Sequence, residues 1–176
     1  MTIAEFDRLN VEKKRELLTQ CCGSSAWVEK MIAEPPAEDL VDLEEIAEEK
    51  WWQCSQQDWL EAFEHHPKIG DINSLKEKFA NTANWASNEQ SAVNAASDDV
   101  IAELAKGNEE YEKKFGFIFI VCATGKSADE MLSILKSRLS NNREEEIQIA
   151  AEEQLKITKL RLEKLFHIQK KLNDIV

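Results

Sequence analysis

Glycine and proline are scarce in this sequence, five and three among 176 residues. Long stretches are instead rich in Ala, Leu, Glu, Lys and Gln, which favour helix, so little turn punctuation remains for anything but a mostly helical chain. Basic residues are also in deficit, 22 against 34 acidic, for a formal net charge of -12. Phosphate backbones are bound through clustered Lys and Arg, so nucleic acid is excluded as a partner. The same negative field repels anionic small molecules, and an acid-binding site must therefore carry its own local cation. No run of about 18 apolar residues exists, which excludes a membrane-spanning helix. The four cysteines, Cys21, Cys22, Cys54 and Cys122, show neither CxxC spacing nor a secreted disulfide framework, so buried reduced thiols are expected. The amino-terminal MTIAEFDRLN has no apolar signal core, and Asn173-Asp174-Ile175-Val176 is no peroxisomal tripeptide. Cytoplasm is the expected location.

What is present is an ordinary globular composition, 43% hydrophobic and 32% charged, enough for a core without a metal or disulfide staple. Thr2 and Asn10 read as N-caps of two early helices, and Ser24 or Ser25 opens a third that Pro35-Pro36 stops. A helix is expected from Leu40 to about Trp51. Ser55 with Asp58 caps the next one, which ends near His66 because Pro67 disfavours helical dihedrals at the residue before it. Further helices are expected after Asp71, after Ser87 with its Gln90, from about Ser97 to Phe115, and after Ser127 with its Glu130. The longest runs from about Asn142 to Lys171. Phe117-Ile118-Phe119-Ile120-Val121-Cys122-Ala123 is β-branched and aromatic but has no hairpin partner, and reads as a buried extended segment or tight connector. With no repeat or linker, the expectation is an all-α, single-domain multi-helix bundle over residues 1–176, with one short extended segment near residues 117–123.

Three elements carry chemistry. Glu64-His65-His66-Pro67-Lys68-Ile69-Gly70-Asp71 places two of three histidines at a helix end before a rigid loop. A helix C-terminus favours the imidazolium and burial opposes it, which suits His66 to proton transfer near neutral pH. Trp85-Ala86-Ser87-Asn88-Glu89-Gln90 holds Glu89 as an anion in a first turn, with Gln90 supplying a donor and an acceptor. Arg161 lies on the terminal helix on a face with Ile157, Leu165 and Ile168, where a guanidinium should meet a carboxylate of the protein or of a ligand. Plainer readings stand beside these: an exposed histidine pair on helix-end carbonyls, a solvated helix start, a structural salt bridge. A zinc site is dismissed because His65 and His66 are adjacent and no HExxH accompanies them. Gly125-Lys126-Ser127 imitates the end of a phosphate loop, but Gly116 stands nine positions earlier and the spacing fails.

Taken in order, His66-Pro67-Lys68-Ile69-Gly70-Asp71, Glu89-Gln90, Phe115-Gly116-Phe117 and Lys156-Ile157-Thr158-Lys159-Leu160-Arg161-Leu162 resemble the motif series of the 2-oxo-4-hydroxy-4-carboxy-5-ureidoimidazoline (OHCU) decarboxylases. The resemblance spans nearly the whole chain. It implies a cofactor-free, metal-free carboxy-lyase of urate breakdown that forms (S)-allantoin. His66, Glu89 and Arg161 would match its catalytic residues. Pro67, Ser87, Gln90 and the segment Phe119, Ile120, Val121, Cys122 and Ala123 would match its substrate contacts. The chain departs from the family pattern at Ala86, with Ser87 displaced by one, and at Ser91-Ala92. The implied partner is a small molecule, with a homodimer through a helix face. The alternative from another class is an all-helical interaction module whose five tryptophans, Trp27, Trp51, Trp52, Trp59 and Trp85, serve core and interface.

Overall fold

The computed structural model describes residues 1–66 and 98–166. The helices expected after Asp71 and after Ser87 fall outside them. Every regular element among the described residues is a helix: α1 (Ile3–Asp7), α2 (Val11–Cys21), α3 (Ser25–Ala33), α4 (Leu40–Trp52), α5 (Gln56–Glu64), α6 (Asp98–Phe115), α7 (Ala128–Arg138) and α8 (Arg143–Leu165). The caps follow the residue chemistry. Thr2, Asn10, Ser24, Asp39, Ser55 and Ser127 each accept a backbone N–H of the first turn with a side-chain oxygen. Thr2 with Glu5, Ser55 with Asp58 and Ser127 with Glu130 close reciprocal capping boxes. Each such cap is worth about 1 kcal/mol.

The chain divides into two compact units, Met1–His66 with Ala151–Val176, and Pro67–Ala150. In the first, α3 packs on α2, α4 and α5. Its core is built around indoles whose N–H groups all find carbonyls. Trp27 donates to Ala47 O (3.0 Å), Trp51 to Ala151 O (3.0 Å) and Trp59 to Trp51 O (3.2 Å). A buried indole contributes its apolar area only if that one polar atom is satisfied, and here the condition is met three times. Trp51 thereby ties α4 to the C-terminal part of α8. Trp52, next to the buried Trp51, keeps 40% of its surface exposed, because residues adjacent on a helix point in directions about 100° apart.

In the second unit α6 packs on α7. Gly107 permits the close approach, since a Cβ there would lie 2.6 Å from Leu135 Cδ2. Residues 117–123 form no strand; they are an irregular connector with Phe117, Ile120 and Cys122 buried. The β-branched run is therefore core filling on a link between α6 and α7.

The inward face of α8 differs from the expected one. Ala151, Gln154, Leu155, Thr158 and Leu162 are buried, whereas Ile157 and Leu165 are half-buried. Ile168 lies outside the described residues. The helix is turned so that two polar side chains, Gln154 and Thr158, enter the interior, and this has consequences for the site.

Candidate active site

His65 is the C-cap of α5, and His66 follows it with its N–H bonded to Phe63 O at 3.1 Å. The expected helix end is thus found, and it places the His66 ring against α8. The ring Nε2 lies 2.5 Å from Gln154 Oε1. Gln154 is fully buried; its Nε2 donates to Thr158 Oγ1 (3.2 Å), and the Thr158 hydroxyl donates back to the Gln154 main-chain carbonyl (3.0 Å).

Arg161 stands one turn beyond Thr158. Gln154, Thr158 and Arg161 occupy positions i, i+4 and i+7, one face of the helix, so the residue holding His66 and the guanidinium-bearing residue sit about 10 Å apart along the axis. Arg161 Nη1 donates to Cys21 O (3.2 Å) and reaches Gln20 O at 3.5 Å. These carbonyls end α2, where helical acceptors lack partners and the macrodipole is negative, so a cation is favoured there. Among the described residues no carboxylate pairs with this guanidinium.

The C-terminus of α2 also carries two thiols toward α8. Burial pushes Cys21 up to about 11, with Arg161 opposing. Burial pushes Cys22 up to about 12, with the Ser24 backbone and the Thr158 side chain opposing. Both stay neutral at physiological pH and add no anion or nucleophile. All four cysteines are free and buried, as the spacing predicted.

Gly23 explains how α5 is seated. A Cβ at this position would lie 2.4 Å from His65 Cγ, so the His65 ring rests on bare backbone. Gly23→Ala is expected to push His65 outward and shift the adjoining His66. Thermal unfolding should drop by an amount corresponding to about 1–3 kcal/mol, the usual cost of overpacking. A variant as stable as the parent would show that the α5 end adjusts freely.

In the second unit the connector is held by cations. Arg138 Nη1 donates to Ile120 O (2.7 Å) and its guanidinium lies 4.8 Å from the centre of the Phe119 ring. Lys126 Nζ donates to Cys122 O (2.7 Å). The Ile120 and Cys122 carbonyls are thus already engaged by the protein. Arg138 is buried with Glu146, Nε to Oε1 at 2.6 Å; Tyr111 also donates to that oxygen, and Asn141 Nδ2 donates to Oε2 (2.8 Å). Burial, reinforced by the bond to Glu146, raises the Tyr111 phenol, which stays protonated.

Of the residues singled out from sequence, His66 and Arg161 therefore belong to one unit and are both seated on the α8–α2 framework. Phe119, Ile120, Val121, Cys122 and Ala123 belong to the other unit. Glu89, Pro67, Ser87 and Gln90 lie outside the described residues. Sequence reasoning missed Gln154, Gly23 and the Arg138–Glu146 pair. The first had a usable signal, a polar i, i+4, i+7 stripe ending in Arg161.

A family model described as OHCU decarboxylase matches residues 7–163. The chain is 44% identical over 151 residues to the uric acid degradation bifunctional protein TTL of Arabidopsis thaliana, covering 83% of this chain and 45% of that protein. It is 25% identical over 166 residues to the 2-oxo-4-hydroxy-4-carboxy-5-ureidoimidazoline decarboxylase of Halalkalicoccus jeotgali, covering 94% of this chain and 92% of that protein. A crystal structure of OHCU decarboxylase in the presence of (S)-allantoin superimposes with a TM-score of 0.69 at 40% identity, covering 87% of this chain and 98% of that one. The chain thus spans under half of the plant protein's length and nearly all of the other two. With a match from Asp7 to Glu163 that takes in both His66 and Arg161, the chain belongs to the OHCU decarboxylase family.

Proposed function

We propose that this protein decarboxylates 2-oxo-4-hydroxy-4-carboxy-5-ureidoimidazoline to (S)-allantoin in urate degradation, as a single catalytic domain. The observation that carries the proposal is the attachment of a histidine, His66, and an arginine, Arg161, to one framework within a chain of this family. An imidazole handles protons near neutral pH, and a guanidinium binds a carboxylate or a developing anion.

Loss of carbon dioxide leaves an electron pair on the ring carbon that carried the carboxylate. The neighbouring imine accepts that charge and its nitrogen takes up a proton, so the substrate supplies its own electron sink. The hydroxyl on the same carbon gives up its proton and becomes the ring carbonyl. A proton is then delivered to the carbon that bears the ureido group, and delivery from one face gives a single enantiomer. In this reading Arg161 orients the substrate anion and His66, with Glu89, manages the protons. Pro67, Ser87, Gln90 and the 119–123 segment are its substrate contacts.

The test is to supply freshly generated product of urate oxidation and follow optical rotation. Enantioselective, accelerated formation of dextrorotatory allantoin is expected, whereas a rate and racemic outcome equal to the enzyme-free control would reject the proposal. Because the electron sink lies in the substrate, exhaustive dialysis against a chelator should leave kcat unchanged; loss of activity restored by a metal would overturn cofactor independence.

A homodimer in the cytoplasm completes the proposal. Free buried thiols suit a reducing compartment. Exposed Val41 and Trp52 share one face of α4 and offer apolar side chains to a second copy. Sedimentation giving a monomer mass, or fractionation outside the cytosol, would refute the respective part.

A further inference from the structure

The contact between His66 and Gln154 specifies more than position. Gln154 has two faces, an acceptor oxygen and a donor nitrogen, and which one meets the imidazole decides where the ring carries hydrogen. Thr158 bears on the choice. Its single hydroxyl hydrogen is directed at the Gln154 main-chain carbonyl, so its oxygen accepts from the Gln154 amide nitrogen. The amide oxygen is thereby turned to His66 Nε2. A carboxamide oxygen only accepts, so Nε2 must carry a hydrogen.

Proton transfer strengthens the argument. A histidine that shuttles protons passes between neutral and imidazolium forms, and the imidazolium has hydrogen on both nitrogens. With the amide oxygen facing Nε2, one hydrogen bond serves both forms. With the amide nitrogen facing it, the imidazolium would meet a donor, and the buried side chain would have to turn over in every cycle. Fixed dipoles that need no rearrangement are what proton-transfer sites require. Two groups on the described side of the site bear no negative charge. Cys22 beside Thr158 is a neutral thiol, and Arg161 on the same helix face is a cation held on the α2 carbonyls.

We propose that Gln154 is a positioning residue that locks His66 with hydrogen on Nε2, which leaves Nδ1 as the acceptor nitrogen of the neutral ring, and that Thr158 sets the orientation of the Gln154 amide. The activity part of this proposal rests on the role given to His66 above; the tautomer part does not.

The test uses the full chain labelled with 15N-histidine, with His66 assigned by comparison with His66→Ala. In the parent protein the neutral ring should show a protonated Nε2 whose hydrogen exchanges slowly with water, and an unprotonated Nδ1. Gln154→Leu should lose the slowly exchanging signal and lower kcat by about 10- to 100-fold, the scale seen when an orienting partner of a functional histidine is removed, with KM little changed. Gln154→Glu keeps an acceptor of the same shape and should restore the signal. Thr158→Val, which keeps the volume and removes the amide's acceptor, should weaken it. A neutral His66 protonated on Nδ1, or a folded Gln154→Leu protein with parental signal and kcat, would overturn the proposal. If His66→Ala retains activity, the catalytic reading of His66 fails, while the Nε2 signature still decides the tautomer assignment independently.

Discussion

His66→Ala is expected to lower kcat by roughly two to four decades, the range associated with losing a positioned proton-transfer group. The argument is geometric. His66 is held at one nitrogen by the buried Gln154 and lies just beyond the α5 cap, so no neighbouring side chain on that helix can replace it. His65 is the natural control. It is one residue away, but its ring rests on Gly23, and His65→Ala should leave kcat within a few-fold of the parent. Arg161→Ala should fall in a similar range if it stabilises developing charge, again about two to three decades. It also uncovers the last carbonyls of α2, so its folding should be checked by circular dichroism before kinetics are read. Equal activity of the His66 and His65 variants, measured as initial rates on fresh substrate, would remove the histidine from the mechanism.

The largest effect on folding is expected at Arg138. This guanidinium donates to Glu146, to the Ile120 carbonyl and to the Tyr111 hydroxyl, and both members of the ion pair are buried. Glu146 is saturated by Arg138, Tyr111 and Asn141. Replacing Arg138 by Met keeps the apolar stem but leaves a buried carboxylate without its cation. Breaking such a pair costs roughly 3–5 kcal/mol, most of it the desolvation of the stranded charge. Denaturant unfolding should therefore shift by that amount. The paired change, Arg138→Met with Glu146→Leu, removes both charges and should recover much of the loss. If the single and double variants are equally destabilised, stranded charge is not the cause. The Ile120 carbonyl loses its donor in both variants, so any activity defect shared by the two reports on the 117–123 connector.

Local chemistry was legible residue by residue. Thr2, Asn10, Ser55 and Ser127 cap the helices they were expected to cap, because a hydroxyl or amide three residues ahead of a backbone N–H is sufficient cause. Pro35-Pro36 bounds α3, which ends at Ala33. The facing of α8 was not legible. Ile157, Leu165 and Ile168 make a plausible apolar stripe, yet the face taken inward carries Gln154 and Thr158. Counting apolar residues along a helix ranks faces by transfer energy, and it misses a buried polar pair whose hydrogen bonds are satisfied by each other and by a neighbour. Arg161 was expected to meet a carboxylate of the protein or of a ligand; among the described residues its partners are main-chain carbonyls, which leave no trace in side-chain identity.

Sequence alone determined the helical class, the position of the bend after α5, the burial of the unpaired cysteines, and the family, through motifs that include His66 and Arg161. These follow from short-range rules, since caps, prolines and the absence of paired metal spacings act within a few residues. Tertiary structure alone decided which atom His66 bonds, which face α8 turns inward, why Gly23 must lack a side chain and how Arg138 holds the Ile120 carbonyl. Those depend on groups brought together from 88 positions apart in the first case, where no local energy term ranks one partner over another until the helices have packed.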